Sequence, residues 1–187
     1  KRTGIPTAKN LCSKNQLMNS SFNVWRLVNA YGAFGSVNKE RYEIIIEGTQ
    51  AEDPDAPAVE WHAYEFKGKP GRLDQIPPVV APYHLRLDWL MWFLPFSVVV
   101  MPQGIATRGY ERWFIRLMEK LLLGDPDVIR LLKDSPFTDE SPRYVRARFY
   151  HYQFTSKAEY RESGNIWKRT LIDDYLPPES LETIQWI

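Results

Sequence analysis

The hydrophobic period of this chain changes twice, and that change limits the folds open to it. In residues 41–49 apolar and polar positions alternate, with Tyr42, Ile44 and Ile46 on one face and Glu43 and Glu47 on the other. A two-residue period predicts a half-buried strand, ended here by Gly48. In residues 110–123 the period becomes helical. Trp113, Phe114, Leu117, Met118, Leu121 and Leu122 form one stripe, and Arg112, Arg116, Glu119 and Lys120 form the opposite face. Residues 143–155 return to alternation, with Val145, Ala147 and Phe149 against Arg146, Arg148, Tyr150 and Tyr152. Strands, then helices, then strands predict an α+β domain.

Weaker segments complete the outline. Residues 24–37 are expected to be extended, with Gly32 and Gly35 marking a bulge or a close backbone approach. Residues 59–67 are expected to form a third strand, and one near 165–172 a last strand before a break at Pro177-Pro178. Helices are expected at 85–93, ended or bent by Pro95, and at 110–123, with Gly124 at its left-handed C-terminal position. A short helix is expected from Asp125-Pro126 to about 133, opened by an aspartate cap with proline at the first helical position. The expected architecture is an antiparallel sheet of about five strands, with a layer of two to three helices inserted between strands three and four. Residues 50–57 and 68–82, rich in proline, are expected to be loops. Residues 1–16 are expected to be a flexible lead-in to a domain at 17–187.

Composition excludes several functions. The 187 residues carry a formal net charge of +1, so no global field draws nucleic acid or an anionic surface. The lone Cys12 permits no intrachain disulfide and no thiolate metal site. The longest apolar uncharged run, residues 89–102, is broken by Pro95 and falls short of the roughly 20 residues a membrane span needs. Any membrane anchor is expected elsewhere in the protein. Aromatic residues make up 14% of the chain, so large stiff rings are either buried or displayed to a partner.

Candidate chemistry is sparse. His84 and Asp88 stand four apart with Arg86 between them, a spacing that could serve acid–base work or a small-ligand site. No nucleophile motif accompanies them, and a structural hydrogen bond is the plainer reading. His62, His84 and His151 match no local zinc spacing. Glu43 and Glu47 share a strand face about 13 Å apart, too far for a paired-carboxylate mechanism, and read as a solvated face. Arg143, Arg146 and Arg148 interleaved with Tyr144, Tyr150 and Tyr152 resemble a single-strand nucleic-acid platform, although a basic outward face is ordinary for a strand. Gly32 and Gly35 lack the third glycine of a phosphate loop. No catalytic residue, metal or cofactor is expected.

Several blocks, taken in order, carry a family resemblance. They are Tyr31-Gly32-Ala33-Phe34-Gly35, Tyr64-Glu65-Phe66-Lys67, the run Ala81-Pro82-Tyr83-His84-Leu85-Arg86-Leu87-Asp88-Trp89-Leu90-Met91-Trp92-Phe93, and Gly124-Asp125-Pro126. Together they resemble the C-terminal domain of the lipase maturation factor family, from about residue 18 to Pro177-Pro178. The resemblance implies a multipass membrane protein of the endoplasmic reticulum, with its spans N-terminal to this part and this domain in the lumen. It implies a chaperone-like factor that helps secreted clients such as homodimeric lipases fold and assemble, and no catalysis of its own. Tyr31, Gly32, Phe34, Gly35, Tyr83, His84, Arg86, Asp88, Trp89 and Trp92 are then structural motif residues. Trp92, Phe93 and Phe96, flanking Pro95, are the expected client-contact residues. Where family members carry a cysteine pair, this chain has Gly68 and Pro78, so the redox compartment is not legible here. A short-loop disulfide would contribute about 2–3 kcal/mol, and the prolines of the same segment offer a substitute stiffness.

Overall fold

The computed structural model describes residues 40–76, 78–80, 83–137 and 140–186. The expected lead-in and the expected strand at 24–37, with Tyr31, Gly32, Phe34 and Gly35, lie outside the described residues. The described part is mixed α+β: a four-stranded antiparallel sheet, a separate two-stranded hairpin and five helices.

Strand β1 (Arg41–Thr49) pairs along its whole length with β5 (Tyr144–Phe154). The short β2 (His62–Ala63) flanks β1, and the long β6 (Trp167–Glu179) flanks β5, giving the order β2-β1-β5-β6. Between β2 and β5 the chain forms α1 (Arg86–Phe93), a 3-10 turn (Leu94–Ser97), β3 (Val98–Met101), β4 (Gly104–Thr107), α2 (Arg112–Leu122) and α3 (Pro126–Ile129). Helix α4 (Lys157–Ser163) joins β5 to β6, and α5 (Leu181–Ile184) follows.

The alternating segments and the helical stripe meet as their periods require. Ile44, Ile46, Val145, Ala147, Phe149 and Leu176 on one sheet face are buried in one cluster with Phe114, Leu117, Met118, Leu121 and Leu122 of α2. Apolar surface buried here stabilises the fold by roughly 25 cal/mol per Å². Asp125 caps α3 by accepting from the Asp127 amide, and Gly124 ends α2 at φ +62°. Pro95 stands in the 3-10 turn that closes α1, because its ring cannot continue an α-helix.

Four expectations change. Only His62–Ala63 of the strand expected at 59–67 pairs as a strand, followed by a single bridge at Glu65 to Asp134. The helix expected to run to about 133 ends at Ile129. The last strand runs through Pro177-Pro178 to Glu179. Its register slips between the Val145–Glu179 and Ala147–Leu176 pairs, so the prolines occupy an irregular stretch of an edge strand, where a missing N–H is tolerated. Finally, Glu43 and Glu47 are not solvated. Both are buried on the second sheet face, Glu43 in ion pairs with Arg41 (2.7 Å) and Lys69 (3.3 Å), Glu47 with Arg146 (2.7 Å).

That second face is covered by the loop after Phe66. The Lys69 ammonium donates to the Ile44 carbonyl, the Tyr152 hydroxyl to the Gly71 carbonyl, and the Trp167 indole to the Gln75 carbonyl. Ile45, Tyr150, Tyr152 and Trp167 form a smaller buried cluster beneath it. Burial pushes the Tyr152 phenol up to about 12.

Candidate functional site

His84, Arg86 and Asp88 do not converge. The His84 ring lies edge-on to Trp89 at 5.1 Å, and its Nδ1 is 3.2 Å from the Leu85 carbonyl. Arg86 is exposed and makes no ion pair among the described residues. Asp88 is fully buried, and its Oδ1 accepts from the Gly68 amide; its Oδ2 has no hydrogen-bond partner among the described residues. The three side chains therefore face three surroundings, and a shared acid–base step has no geometry here. Asp88 ties α1 to the loop that covers the second sheet face, whereas Arg86, expected beside it in that role, points to solvent.

Clefts among the described residues lie elsewhere. One of about 420 Å³ is bordered by Glu52, Asp53, Glu60, His62 and Phe137. The other, about 280 Å³, is bordered by Tyr64, Leu121, Gly124 and Pro142. Neither is lined by His84, Arg86 or Asp88. His62 lies near Phe137 and His151 pairs with Glu40, so the three histidines sit in separate places. No group of acidic, histidine or cysteine side chains suited to a metal occurs among the described residues.

The arginines of β5, and Arg143 just before it, are paired with carboxylates. Arg146 pairs with Glu47 and lies 3.9 Å over the Trp61 ring; Arg148 pairs with Asp174, and Arg143 with Glu52. Tyr150 lies beneath Arg169 and Tyr152 is buried. With its cations paired and Tyr150 and Tyr152 covered, this arginine–tyrosine pattern offers little to a phosphate backbone or a stacked base.

The aromatic segment around Pro95 makes a continuous surface feature. Trp89 contacts Trp92 (5.2 Å) and Phe93 (4.8 Å), Trp92 contacts Phe93 (5.1 Å), and both reach Phe96 at 6.0 and 5.6 Å. Met91 and Leu94, on the opposite side, are buried in the main core. Helix α1 thus anchors one side while its tryptophans and Phe93 remain half-buried. Trp92 and Phe93 have further partners as well. Phe96, in the 3-10 turn, is 68% exposed, and Tyr83, before the helix, is exposed too. The bend at Pro95 turns the chain so that Phe96 leaves the core that Leu94 and Pro95 enter.

The sequence reading missed the β3–β4 hairpin, which follows this segment directly. Its signal is a run of β-branched residues, Val98-Val99-Val100, then Pro102-Gln103 and Gly104, which is a turn signature between two strands. The long uncharged run hid it.

The chain matches the family model described as the lipase maturation factor C-terminal domain over residues 27–177. It is 42% identical over 183 residues to lipase maturation factor 1 of Mus musculus, covering 97% of this chain and 30% of that protein. The human lipase maturation factor 1 is also 42% identical over 183 residues, with 97% and 31% covered. The human lipase maturation factor 2 is 34% identical over 162 residues, covering 83% of this chain and 20% of the relative. No solved structure matches. The chain belongs to the lipase maturation factor family, through its C-terminal domain. It spans less than a third of the length of these relatives. No described helix is long and apolar enough to cross a membrane.

Proposed function

We propose that this domain is the non-catalytic, client-binding part of a chaperone-like maturation factor. Its clients are secreted proteins in the course of folding and assembly, homodimeric lipases among them. The intact protein would be anchored in the endoplasmic reticulum membrane by spans outside this chain, with this domain in the lumen. The relatives' name, lipase maturation factor, supports the client class. The dispersal of His84, Arg86 and Asp88 favours this reading over an enzyme centred on them.

The observation that carries the proposal is the exposure of Phe96 at the end of the Trp89–Trp92–Phe93 ring cluster. An exposed phenylalanine backed by packed rings offers apolar area whose orientation is already fixed. Fully burying one such side chain is worth about 1.5–3 kcal/mol. That gives contacts about tenfold to a hundredfold stronger than without it, weak enough for release and tolerant of client sequence.

The test is the refolding of a purified homodimeric lipase with the 187-residue protein present. Wild type raises the yield of active dimer and suppresses aggregation; Phe96→Ser, folded by circular dichroism, loses both effects. Equal performance of the two proteins removes Phe96 from the client surface.

A further inference from the structure

Strand β6 is an edge of the four-stranded sheet. In an antiparallel ladder, successive residues turn their N–H and C=O groups alternately toward and away from the neighbouring strand. The register of β6 on β5 runs unbroken from the Phe154–Trp167 pair to the Tyr150–Leu171 pair. The Thr155 amide donates to the Ile166 carbonyl at 3.0 Å, which fixes the phase of the alternation. Lys168 and Thr170 therefore bond to β5, and Trp167, Arg169 and Leu171 turn their backbone groups outward.

One of these outward groups is already used: the Trp167 amide donates to the Leu73 carbonyl at 3.0 Å. The Trp167 carbonyl and the backbone groups of Arg169 and Leu171 have no hydrogen-bond partner among the described residues. Thr170 is exposed and Leu171 is 44% exposed, so this edge is open to solvent. Past Leu171 the register shifts, and the Asp173 carboxylate holds the Ile105 amide of β4. Between Leu73 at one end and Ile105 at the other lies a regular open edge about 13 Å long.

Unpaired donors and acceptors in strand register define their partner, because only another extended backbone matches them group for group. The charged side chains here are already engaged. Lys168 is paired with Glu159, and Arg169 bonds the Tyr152 hydroxyl and lies over Tyr150. Leu171 is left to give apolar contact to a side chain opposite. A second copy of this chain fits poorly: antiparallel pairing over Trp167–Leu171 sets Lys168 and Arg169 of one copy beside the same cations of the other. A single flexible segment meets no such conflict.

We propose that the Trp167–Leu171 edge of β6 takes up an extended segment of a client polypeptide as an added strand, a role that rests on the client-binding reading of the domain. Recognition through backbone groups accepts many sequences. Folded proteins cover or blunt their own strand edges, so this edge holds a client while its strands are still unpaired. None of these residues belongs to the ring cluster that ends at Phe96.

The test is residue-resolved amide hydrogen exchange by NMR on the 187-residue protein, alone and with reduced, carboxymethylated α-lactalbumin as a permanently unfolded probe. Alone, the Lys168 and Thr170 amides exchange slowly and those of Arg169 and Leu171 fast. The probe slows Arg169 and Leu171 about tenfold and leaves Lys168 and Thr170 unchanged; native α-lactalbumin slows neither pair. Leu171→Pro removes one outward N–H at an edge position where proline is tolerated, and lowers probe affinity about tenfold. Leu171→Ala keeps that N–H and lowers it less. The wild-type exchange pattern decides the matter even if the proline variant is poorly folded. Probe binding without protection of Arg169 and Leu171 overturns the proposal and leaves the Phe96 surface standing. No probe binding at all overturns it too, while lipase refolding judges the Phe96 reading separately. Protection of both amides that rises with protein concentration, without probe, assigns the edge to a second copy and overturns it equally.

Discussion

The Asp88 carboxylate accepts the backbone amide hydrogen of Gly68 from twenty positions along the chain. This bond fastens the aromatic helix to the loop whose next residues, Lys69, Gly71 and Gln75, hold the second face of the sheet. The loop is thereby pinned at the residue where family members were expected to carry a cysteine.

Asp88→Ala leaves the part-buried Gly68 amide without its acceptor. The expected cost is about 1–3 kcal/mol, or roughly 2–10 °C in melting temperature for a chain of this size. Asp88→Asn keeps a carbonyl oxygen and costs less. Differential scanning calorimetry of the two variants checks the order, and an unchanged melting temperature in Asp88→Ala contradicts it.

Lys69→Met removes the buried partner of Glu43. The remaining Arg41 is partly exposed and compensates only in part, so the expected loss is about 3 kcal/mol. Adding Glu43→Leu recovers most of it, because the uncompensated charge is gone. Urea denaturation of both singles and the double measures the coupling; additive losses would mean that the pair contributes nothing as a pair.

Much of the fold was legible because burial follows period. Ile44 and Ile46 of β1, Val145, Ala147 and Phe149 of β5, and the Phe114–Leu122 stripe all went where alternation and helical spacing put them. Glu43 and Glu47 did not, since alternation shows that they share a face but not that a loop some twenty residues on returns Lys69 to cover it. The hairpin was illegible for a related reason: Val98-Val99-Val100 continues an apolar run that began in a helix, and period cannot locate a change of element inside such a run. Of the expected client contacts, Phe96 could be placed outside the core because Pro95 stops the helix. That Asp88 turns to the Gly68 amide rather than to His84 is a contact across twenty positions, which no local pattern could reveal.

Gly104 adopts φ +137°, and an added Cβ would collide with the Asp173 carboxylate that holds the Ile105 amide. Gly104→Ala is expected to cost about 1–3 kcal/mol and to loosen the hairpin first. Faster hydrogen exchange at Val99 and Ala106, which face each other across the ribbon, with β1 unaffected, is the expected signature; unchanged exchange rates would show that the glycine is dispensable.

Glu159 closes a capping box at the start of α4, accepting from the Ser156 amide and pairing with Lys168 at 2.9 Å. The Ser156 amide bond, then the Lys168 and Ser156 side chains, hold its carboxyl down to about 2, against an ordinary 4.5. A depressed acid stabilises the fold above its ordinary value and ceases to do so as pH falls through the depressed one. Helix α4 should therefore loosen between about pH 4.5 and 2. A carboxyl NMR titration reads the midpoint directly, and a Glu159 midpoint near 4.5 would rule out the cap as a source of stability.

The central claim, that the aromatic surface ending at Phe96 meets client protein, is tested most directly by site-specific crosslinking. A benzophenone amino acid replaces Phe96 in one protein and Tyr160, another exposed aromatic, on α4, in another. Each is irradiated with a purified homodimeric lipase during refolding and again with the native dimer. The account predicts lipase crosslinks from position 96 during refolding, few with the native dimer, and few from position 160 in either state. Equal crosslinking from the two positions, or none from position 96 while the lipase still refolds with help, would contradict it.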